Sequence, residues 1–297
     1  MDQLRTLFRA VRVHQWVKNG LVIVPVVTSH RIGEVATLWP ALVAFFSFSF
    51  CASAVYLLND LLDLEADRRH PTKRHRPLAA GDLSVKSGTA LVPVLLAASV
   101  ALALLLPTSF LAVLIGYALM TTAYSAVVKH VAIADVITLA VLYTIRVVAG
   151  FAASRIEFSA WLLAFSLFFF LNLAFVKRYT ELNGLLDREE QNSKTRDYYA
   201  GDLQLIEILG AGSGYISVLV FALYTNSERV TPLYATPVLL WLICPLQLYW
   251  IGRVWLLAHR GEMHDDPVVF AMTDRVSYVV GIAAAMILVL ATVLRRP

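Results

Sequence analysis

Four oxygen-bearing side chains follow one another at helical spacing near the end of the second apolar stretch of the chain. Asn59, Asp63 and Asp67 stand at i, i+4 and i+8, and Asp60 lies beside them. If the helix continues, all four side chains form one stripe at the end of a membrane helix. Carboxylates this close repel one another without a counter-charge, and magnesium is the hard ion that such groups hold together with substrate phosphates. The spacing therefore predicts a Mg²⁺ site formed by these four residues.

A basic loop follows directly on these acids, and its cations are Arg68, Arg69, Lys73, Arg74 and Arg76. Carboxylates that hold a metal, next to cations that hold phosphate oxygens, suit a metal–diphosphate pair. The alternative is a solvated loop whose acids pair with its own bases. We favour the functional interpretation because the acids begin inside a membrane helix, where ionisable groups are expensive and usually functional. Lys73, Arg74 and Arg76 are therefore predicted to bind phosphate.

The composition indicates that the chain lies in a membrane. Of its 297 residues, 59% are hydrophobic and only 15% are charged, and the mean hydropathy is +0.68. A soluble domain is about half apolar and about a quarter charged, so the composition excludes a disordered chain and an ordinary soluble domain. The basic pI of 9.1 fits cytoplasmic loops better than nucleic-acid binding. Cys51 and Cys244, each alone in an apolar run, form neither a disulfide framework nor a zinc site.

Nine stretches are apolar enough to form transmembrane helices, although the first is short and would be a tilted or partial span. We predict these helices at 13–29, 37–58, 87–106, 109–128, 132–153, 160–176, 205–225, 233–257 and 276–294. With the N-terminus inside, the inner segments carry eighteen lysines and arginines, counting Lys18 near the inner end of the first span, and the outer segments carry five. The N-terminus is therefore predicted to be cytoplasmic and the C-terminus outside. The polar segments 59–86 and 177–204 then form cap loops on the cytoplasmic face.

Residues 1–12 form a candidate interfacial helix. Leu4 and Phe8 fall on one face, and Arg5 and Arg9 fall on another, which is typical of a helix that lies on anionic lipid. A basic start before an apolar run is also typical of a signal peptide. We favour a retained helix because no small-residue cleavage site follows and Lys18 interrupts the apolar run.

Charged side chains also interrupt the predicted spans. Arg146 lies in the middle of the fifth span, eleven residues after Asp135 and on nearly the same helical face. A mid-membrane arginine normally faces a cavity or an acidic partner. We interpret Arg146 as a cation that lines a substrate cavity, and the alternative is a structural ion pair with Asp135 or with an acid on another helix. Lys18 and Asn19, just inside the first span, are similar candidates for binding a lipid phosphate.

Two further segments carry weaker signals. Gly210, Gly212 and Gly214 are small residues within one span, and we interpret them as helix-packing positions in preference to a phosphate cradle. Asp266 directly precedes Pro267. This pair is either the N-cap and first residue of a helix or part of a functional site.

The motif Asn59-Asp60-x-x-Asp63-x-x-x-Asp67, together with nine spans, resembles the UbiA superfamily of intramembrane prenyltransferases. The segments 14–19, 53–81 and 177–182 resemble the branch that includes decaprenyl-phosphate phosphoribosyltransferase. This resemblance implies one all-α transmembrane domain over residues 1–297, with a central cavity open to lipid and a polar cytoplasmic cap. It also implies that the four motif residues bind Mg²⁺. In this branch the donor is phosphoribosyl pyrophosphate and the acceptor is a polyprenyl phosphate.

The sequence departs from the wider superfamily at the second acidic motif. Other members carry a second Asp-x-x-x-Asp motif, and this sequence has none after the sixth span. Tyr124, Lys129 and Asp135 resemble the element that replaces the motif in the phosphoribosyl branch, where a lysine would hold a phosphate directly. The resemblance also assigns substrate contacts to Lys177, Arg178, Tyr179 and Glu181. Tyr198 is a candidate contact for ribose or phosphate, and a position in the interfacial aromatic belt is the alternative.

The predicted activity is transfer of a 5-phosphoribosyl group to a polyprenyl phosphate with release of pyrophosphate. Asp60, Asp63, Asp67 and Lys129 are its predicted catalytic residues. One alternative is transfer of a prenyl chain from its diphosphate to an aromatic acceptor, which needs a second diphosphate–metal site. A second alternative is a transporter, but transporters often consist of repeated halves and the acidic stripe has no second copy. A third alternative is a non-catalytic lipid-binding protein. The expected location is a bacterial inner membrane, with the active site facing the cytoplasm.

Overall fold

The computed structural model describes residues 2–186, 197–228, 230, 232–263, 267–271 and 273–294, and its regular elements are all helices. The all-α prediction is confirmed. The α-helices are α1 (Asp2–Ala10), α2 (Val24–Thr28), α3 (Val35–Leu62), α4 (Leu64–Arg69), α5 (Pro77–Ala80), α6 (Val85–Ala103), α7 (Thr108–Ala126), α8 (Ala134–Ser154), α9 (Ala160–Leu186), α10 (Leu203–Thr225), α11 (Ile243–His259), α12 (Pro267–Ala271) and α13 (Arg275–Val293). Five 3₁₀ helices join them at Val13–Ile23, Lys73–His75, Val128–His130, Ala200–Asp202 and Pro237–Leu242.

Eight helices among the described residues are long and apolar enough to cross a membrane. They are Val35–Leu62, Val85–Ala103, Thr108–His130, Ala134–Ser154, Ala160–Gly184, Leu203–Thr225, Pro237–His259 and Arg275–Val293. The prediction of nine spans is not confirmed. The difference lies at 13–29, where the chain forms the 3₁₀ helix Val13–Ile23 and then the short α2. The predicted orientation of the termini stays a prediction.

The apolar surface of these helices shows why the chain needs lipid as its solvent. Only 6% of the most apolar window of α13 is buried inside the chain, and the corresponding share for Val85–Ala103 is 17%. Side chains such as Val279, Ile282 and Val289 of α13 are more than half exposed. Contiguous apolar surface of this extent is rare on a soluble protein, so the chain is an integral membrane protein.

The described chain divides into two compact units. The first unit comprises Met1–Ala126 and Ile145–Phe158, and the second comprises Val127–Thr144 and Ser159–Pro297. The boundary therefore falls within α8. The organisation as one transmembrane domain stays a prediction.

In the first unit, α3 packs along α6 and along the 3₁₀ helix Val13–Ile23. Ser47 and Ser99 exchange hydrogen bonds between α3 and α6, each hydroxyl donating to the other residue's carbonyl at 2.9 and 2.7 Å. At the end of α8, Gly150 allows a close approach, because a Cβ there would lie 2.1 Å from the carbonyl oxygen of Val22. Small and hydroxyl side chains thus bring these helices close together.

In the second unit, α9 and α10 form the most extensive helix pair, and α11 packs on both. A Cβ on Gly210 would lie 2.3 Å from the indole of Trp255, and one on Gly214 would lie 2.8 Å from Ile251. Both glycines therefore serve helix packing, as the sequence predicts. Gly212 has no neighbour within 4 Å of its Cβ position and serves no such contact.

Candidate functional site

The acidic stripe lies across a one-residue break between α3 and α4. The helix α3 ends at Leu62, and Asp63 links it to α4. The backbone N–H of Asp63 still donates to the carbonyl of Asn59 at 2.9 Å, and that of Asp67 donates to the carbonyl of Asp63 at 2.8 Å. The helical path on which the stripe depends is thus interrupted at this one residue. The i, i+4 register continues through the break, so the spacing argument for the stripe remains valid.

Two arginines hold two of these acids. Nη2 of Arg12 donates to Oδ1 of Asp60 at 2.6 Å and to its Oδ2 at 2.9 Å. Nη1 of Arg76 donates to Oδ1 of Asp60 at 3.0 Å and to Oδ2 of Asp67 at 2.6 Å. Both aspartates are buried, whereas Asp63 is exposed and has no ion pair with any residue that the structure describes. We call the paired residues the Arg12–Asp60–Arg76–Asp67 network.

This network shows that the acidic residues can share a cation. A single atom, Nη1 of Arg76, lies within 3.0 Å of carboxylate oxygens from both Asp60 and Asp67. No cluster of three or more His, Cys, Asp or Glu side chains poised for a metal occurs among the described residues. The carboxylate oxygens of Asp60 and Asp67 are nevertheless of the kind that Mg²⁺ prefers, and these two groups converge on one positive centre. Asp60 and Asp67 therefore fit a divalent ion, and a site formed by all four residues stays a prediction.

The neighbouring basic loop presents its cations in different directions. Lys73 and Arg74 are exposed, and the predicted phosphate ligand that contacts the acids is Arg76. Proline at the first position of α5 directly follows Arg76, and Gly81 ends that helix with a φ of 84°, a conformation that favours glycine. These residues shape the loop that brings Arg76 to the carboxylates.

Asn59 has a partner on α7. Its Nδ2 donates to Oγ of Ser125 at 2.9 Å, next to the predicted site residue Tyr124. An asparagine amide has one oxygen and one nitrogen, so this bond uses the nitrogen and leaves Oδ1 as the group that can bind a metal. Lys129 is half-buried on the 3₁₀ helix Val128–His130, in the second unit.

Arg146 lies in a buried polar cluster of the first unit. Its Nε donates to Oδ1 of Asn19 at 2.9 Å, and its Nη2 donates to the hydroxyl of Tyr117 at 3.1 Å. The guanidinium also lies 4.9 Å from the centre of the Tyr117 ring. Lys18 is buried in the same 3₁₀ helix as Asn19. Asp135, the acid that the alternative interpretation offers to Arg146, forms an ion pair with Arg178 in the second unit.

Asp135 belongs to a buried cluster in the second unit. Its carboxylate forms an ion pair with Arg178, and both side chains are fully buried. Tyr198 donates to Oδ1 of Asp135 at 2.6 Å and accepts the backbone N–H of Ile133 at the same distance. Burial and the hydrogen bond to Asp135 raise the pKa of Tyr198 above its usual value. Arg178 also pairs with Glu181, so four predicted site residues lie in this cluster.

The other predicted residues of the second unit lie on the same stretch of α9. The hydroxyl of Tyr179 and Nδ1 of His259 are 3.0 Å apart. Lys177 lines a small, partly open apolar cleft. The residues that line this cleft are Leu139, Tyr143, Leu173, Ala174, Lys177, Pro267 and Val268.

The structure thus brings the predicted residues together in separate groups within each unit. Part of the cap loop 177–204 lies outside the described residues, as does Asp266 of the pair Asp266–Pro267. Sequence reasoning missed Arg12, Tyr117 and Ser125 as partners of site residues. Arg12 carried a signal, because it stands between the basic helix and the first apolar run.

Comparisons of sequence identify the family. The model of the UbiA prenyltransferase family matches residues 24–274. The chain is 39% identical over 283 residues to the uncharacterised protein y4nM of Sinorhizobium fredii, covering 95% of this chain and 55% of that protein. It is 34% identical over 290 residues to the nodulation protein NoeC of Azorhizobium caulinodans, covering 96% and 92% of the two chains.

A further relative has a named activity. The decaprenyl-phosphate phosphoribosyltransferase of Mycobacterium tuberculosis is 38% identical over 199 residues, which cover 64% of this chain and 66% of that enzyme. The chain thus spans 55% and 66% of the lengths of y4nM and this enzyme.

Comparisons of structure support the same fold. A UbiA homolog from Archaeoglobus fulgidus, bound to GPP and Mg²⁺, superposes with a TM-score of 0.68 at 19% sequence identity, covering 96% of this chain and 98% of that one. A digeranylgeranylglyceryl phosphate synthase gives a TM-score of 0.64 at 17% identity, with 97% of each chain covered.

Proposed function

Because the chain belongs to the UbiA prenyltransferase family and is a membrane-embedded transferase, we propose that it transfers a 5-phosphoribosyl group from phosphoribosyl pyrophosphate to a polyprenyl phosphate. The other product is pyrophosphate. The observation that carries this proposal is the Arg12–Asp60–Arg76–Asp67 network, in which oxygen ligands for a metal lie in contact with guanidiniums that can bind phosphate. The M. tuberculosis relative supports the choice of donor and acceptor.

Asn59, Asp60, Asp63 and Asp67 would hold Mg²⁺ at this site. When bound, the ion supplies Lewis-acid neutralisation of the negative charge that develops on the leaving pyrophosphate. This role fits the A. fulgidus homolog, which binds Mg²⁺ together with a prenyl diphosphate.

The chain's own residues would orient the reactants and bind their phosphates. We assign phosphate binding to Lys18, Lys73, Arg74, Arg76, Lys129, Arg146 and Lys177, and further substrate contacts to Asn19, Tyr124, Tyr179 and Glu181. Asp135, Arg178 and Tyr198 would act by positioning their segments, because their side chains are almost completely buried.

The proposed reaction is a displacement at the anomeric carbon. An oxygen of the lipid phosphate forms a bond to this carbon while the bond to pyrophosphate breaks, and pyrophosphate leaves with the electron pair. Attack from the opposite face inverts the configuration. The lipid phosphate is already an anion at neutral pH, so the chain needs no general base. Catalysis then depends on positioning and on charge neutralisation.

The absence of a second Asp-x-x-x-Asp motif from the sequence supports phosphoribosyl transfer over prenyl transfer. A prenyl diphosphate bound through two acidic motifs would need the second one. The basic side chains Lys129 and Lys177 can instead bind separate phosphates without a second metal. Membership of a transferase family leaves the transporter alternative without support.

The test is an assay with purified protein, Mg²⁺, decaprenyl phosphate and radiolabelled phosphoribosyl pyrophosphate. We expect label in the organic phase only when both substrates and Mg²⁺ are present. Asp63→Asn and Asp67→Asn should abolish transfer in folded protein, and Lys129→Ala should raise the KM of one substrate. No labelled lipid, together with activity on a prenyl diphosphate and an aromatic acid, would reverse the proposal in favour of prenyl transfer.

The location is proposed on the same basis. The excess of lysine and arginine in the segments 59–86 and 177–204 supports a cytoplasmic face for the site. A bacterial inner membrane is the compartment in which both proposed substrates could meet it.

A further inference from the structure

The two buried acids of the stripe are neutralised by arginines of the same chain. Asp60 accepts from Arg12 on both oxygens and from Arg76 on one, and Asp67 accepts from Arg76. Two carboxylates and two guanidiniums form a closed set without net charge. A divalent ion can reach these oxygens only if the guanidiniums withdraw, because cations at contact distance repel strongly in a partly buried site.

The withdrawn guanidiniums would need another anion. A guanidinium fits phosphate as well as it fits carboxylate, with the same planar fork of donors. If a metal ion arrives with a diphosphate, each displaced arginine can exchange a carboxylate for a phosphate. If the metal arrives alone, two unpaired guanidiniums remain beside a divalent ion. The network therefore opposes binding of the metal by itself and permits binding of the pair.

The backbone places Arg12 specifically for this contact. Arg12 has a φ of 54° and a ψ of 49°, a left-handed conformation that is unfavourable for arginine and persists only where the surroundings enforce it. Its guanidinium lies 5.0 Å from the centre of the Tyr56 ring. On α1, Nη2 of Arg9 donates to the carbonyl of His75 at 3.0 Å. The segment that carries Arg12 is thus attached to the loop that carries Arg76.

We propose that Arg12 and Arg76 are exchangeable counter-ions, which hold Asp60 and Asp67 until Mg²⁺ and a diphosphate bind together and which then bind the diphosphate. Arg12 becomes a substrate-binding residue in addition to those assigned above. This inference rests on the proposed function in taking a diphosphate donor at this site, and it applies to any donor that carries one.

The first experiment measures Mn²⁺ binding to the purified full-length protein by electron paramagnetic resonance, with inorganic pyrophosphate as the probe. A protein-free titration corrects for the complex that Mn²⁺ and pyrophosphate form in solution. We expect pyrophosphate to tighten the binding of Mn²⁺ by roughly tenfold or more, and Mn²⁺ to tighten the binding of pyrophosphate by the same factor. Equal Mn²⁺ affinity with and without pyrophosphate would overturn the proposal, and this result needs no variant.

The second experiment compares Arg12→Gln and Arg76→Gln with wild type. Each variant should bind Mn²⁺ alone more tightly, by about three- to tenfold, because a carboxylate loses its competing cation. Each should bind the Mn²⁺–pyrophosphate pair more weakly, because the diphosphate loses a ligand. A merely structural role would weaken both kinds of binding or change neither, and either result would contradict the exchange.

Arg68→Gln is the matched control. It removes the same charge from the same cap, and Arg68 pairs with the exposed Glu65 at 2.9 Å and not with Asp60 or Asp67. We expect wild-type binding in both titrations. If Arg12→Gln does not fold, Arg12→Lys retains the charge but loses the planar fork, and the same two changes are expected at smaller size.

The outcomes separate this inference from the proposed function. Suppose that the glutamine variants bind Mn²⁺ more tightly and the Mn²⁺–pyrophosphate pair more weakly, but that the wild-type protein transfers no phosphoribosyl group. The exchange of counter-ions is then retained, and the proposed donor is rejected. The opposite outcome is also possible to observe. If the wild-type protein transfers phosphoribosyl groups but Arg12→Gln and Arg76→Gln bind Mn²⁺ no more tightly than wild type does, the proposed function is retained and the exchange of counter-ions is rejected.

Discussion

The hydrogen bond between Asn59 and Ser125 sets the orientation of one proposed metal ligand. Because Nδ2 of Asn59 donates to Oγ of Ser125, the amide oxygen is the atom left for a cation. Partners that orient a metal ligand in this way typically change metal affinity when they are removed. Ser125 is thus a positioning residue for Asn59.

We therefore predict that Ser125→Ala raises the Mg²⁺ concentration needed for half-maximal activity by about tenfold. Ser125→Thr, which keeps the hydroxyl, should restore the wild-type value. Thr122→Ala is the control on the same helix, because the Thr122 hydroxyl donates to the carbonyl of Ala118 within α7. An unchanged Mg²⁺ requirement in Ser125→Ala would reject the positioning role.

At the residue scale, the sequence predicts spacing better than it predicts partners. The stripe of Asn59, Asp63 and Asp67 follows from helix geometry and survives the break at Asp63. The pairing of Asp60 with Arg12 joins residues 48 positions apart, and no local pattern predicts it. Arg146 illustrates the same limit, because its partners Asn19 and Tyr117 lie on other helices.

At the scale of elements, the packing of α10 against α9 and α11 depends on Gly210, where a Cβ would also lie 2.7 Å from Cβ of Phe175 on α9. The indole of Trp255 occupies the space beside Gly210 and donates from Nε1 to Oδ1 of Asn172 at 2.8 Å. Side chains in such a contact cannot move away without losing buried hydrogen bonds and packing. A methyl group at Gly210 must therefore displace buried atoms.

Gly210→Ala should lower the stability of the purified protein by about 1–3 kcal/mol, which is the usual consequence of overpacking. Gly212→Ala is the matched control two residues away, where the added methyl group meets open space. We expect it to be neutral or stabilising by up to about 1 kcal/mol. Thermal unfolding in detergent measures both variants, and equal unfolding temperatures would contradict the packing role of Gly210.

The junction of α11 and α13 depends on one carboxylate. Burial alone would raise the pKa of Asp274, but hydrogen bonds from Arg253 and Ser277 outweigh burial and lower that pKa below its usual value. Arg253 binds the carboxylate through two nitrogens, at 2.7 and 3.0 Å. Asp274 is also the N-cap of α13.

A carboxylate with a lowered pKa stabilises the folded state at pH values above its unfolded pKa, and this contribution is lost as the pH falls through the folded pKa. Asp274→Asn should therefore lower the unfolding temperature at neutral pH, and the difference from wild type should shrink under acid conditions. Asparagine is as good an N-cap as aspartate, so the comparison isolates the charge. A difference that does not change with pH would contradict this prediction.

The first predicted span shows how an element can differ from its sequence signal. Residues 13–29 are apolar, yet most of them form a 3₁₀ helix. A 3₁₀ helix rises about 2.0 Å per residue and an α-helix rises about 1.5 Å. The segment Val13–Thr28 is therefore about 30 Å long by these rises, close to the thickness of the hydrocarbon core. Apolar composition predicts burial in lipid but does not distinguish the two helix types.

At the scale of the whole molecule, the number of crossings decides the side on which the C-terminus lies. Eight crossings put both termini on one side of the membrane, and nine put them on opposite sides. The excess of positive charge in the predicted cytoplasmic segments supports nine crossings with the N-terminus inside.

We predict that alkaline phosphatase fused after the C-terminus is active, since this reporter folds only outside the cytoplasm. Fusion of the same reporter within the loop 70–76 should be inactive, and green fluorescent protein at either position should show the opposite pattern. An inactive C-terminal phosphatase fusion with a fluorescent counterpart would establish an even number of crossings.

The sequence by itself determined that this chain is an all-helical membrane protein. The length of each apolar stretch is a local property of the sequence, and a stretch of about 20 apolar residues is stable in lipid as a helix. It also determined the spacing of the four motif residues and the basic character of the loop that follows them. Only the tertiary structure decided that Arg12 and Arg76 neutralise Asp60 and Asp67 and that Asp135 pairs with Arg178. These contacts join distant segments, and buried charges take whichever opposite charge the packing of the helices brings within reach.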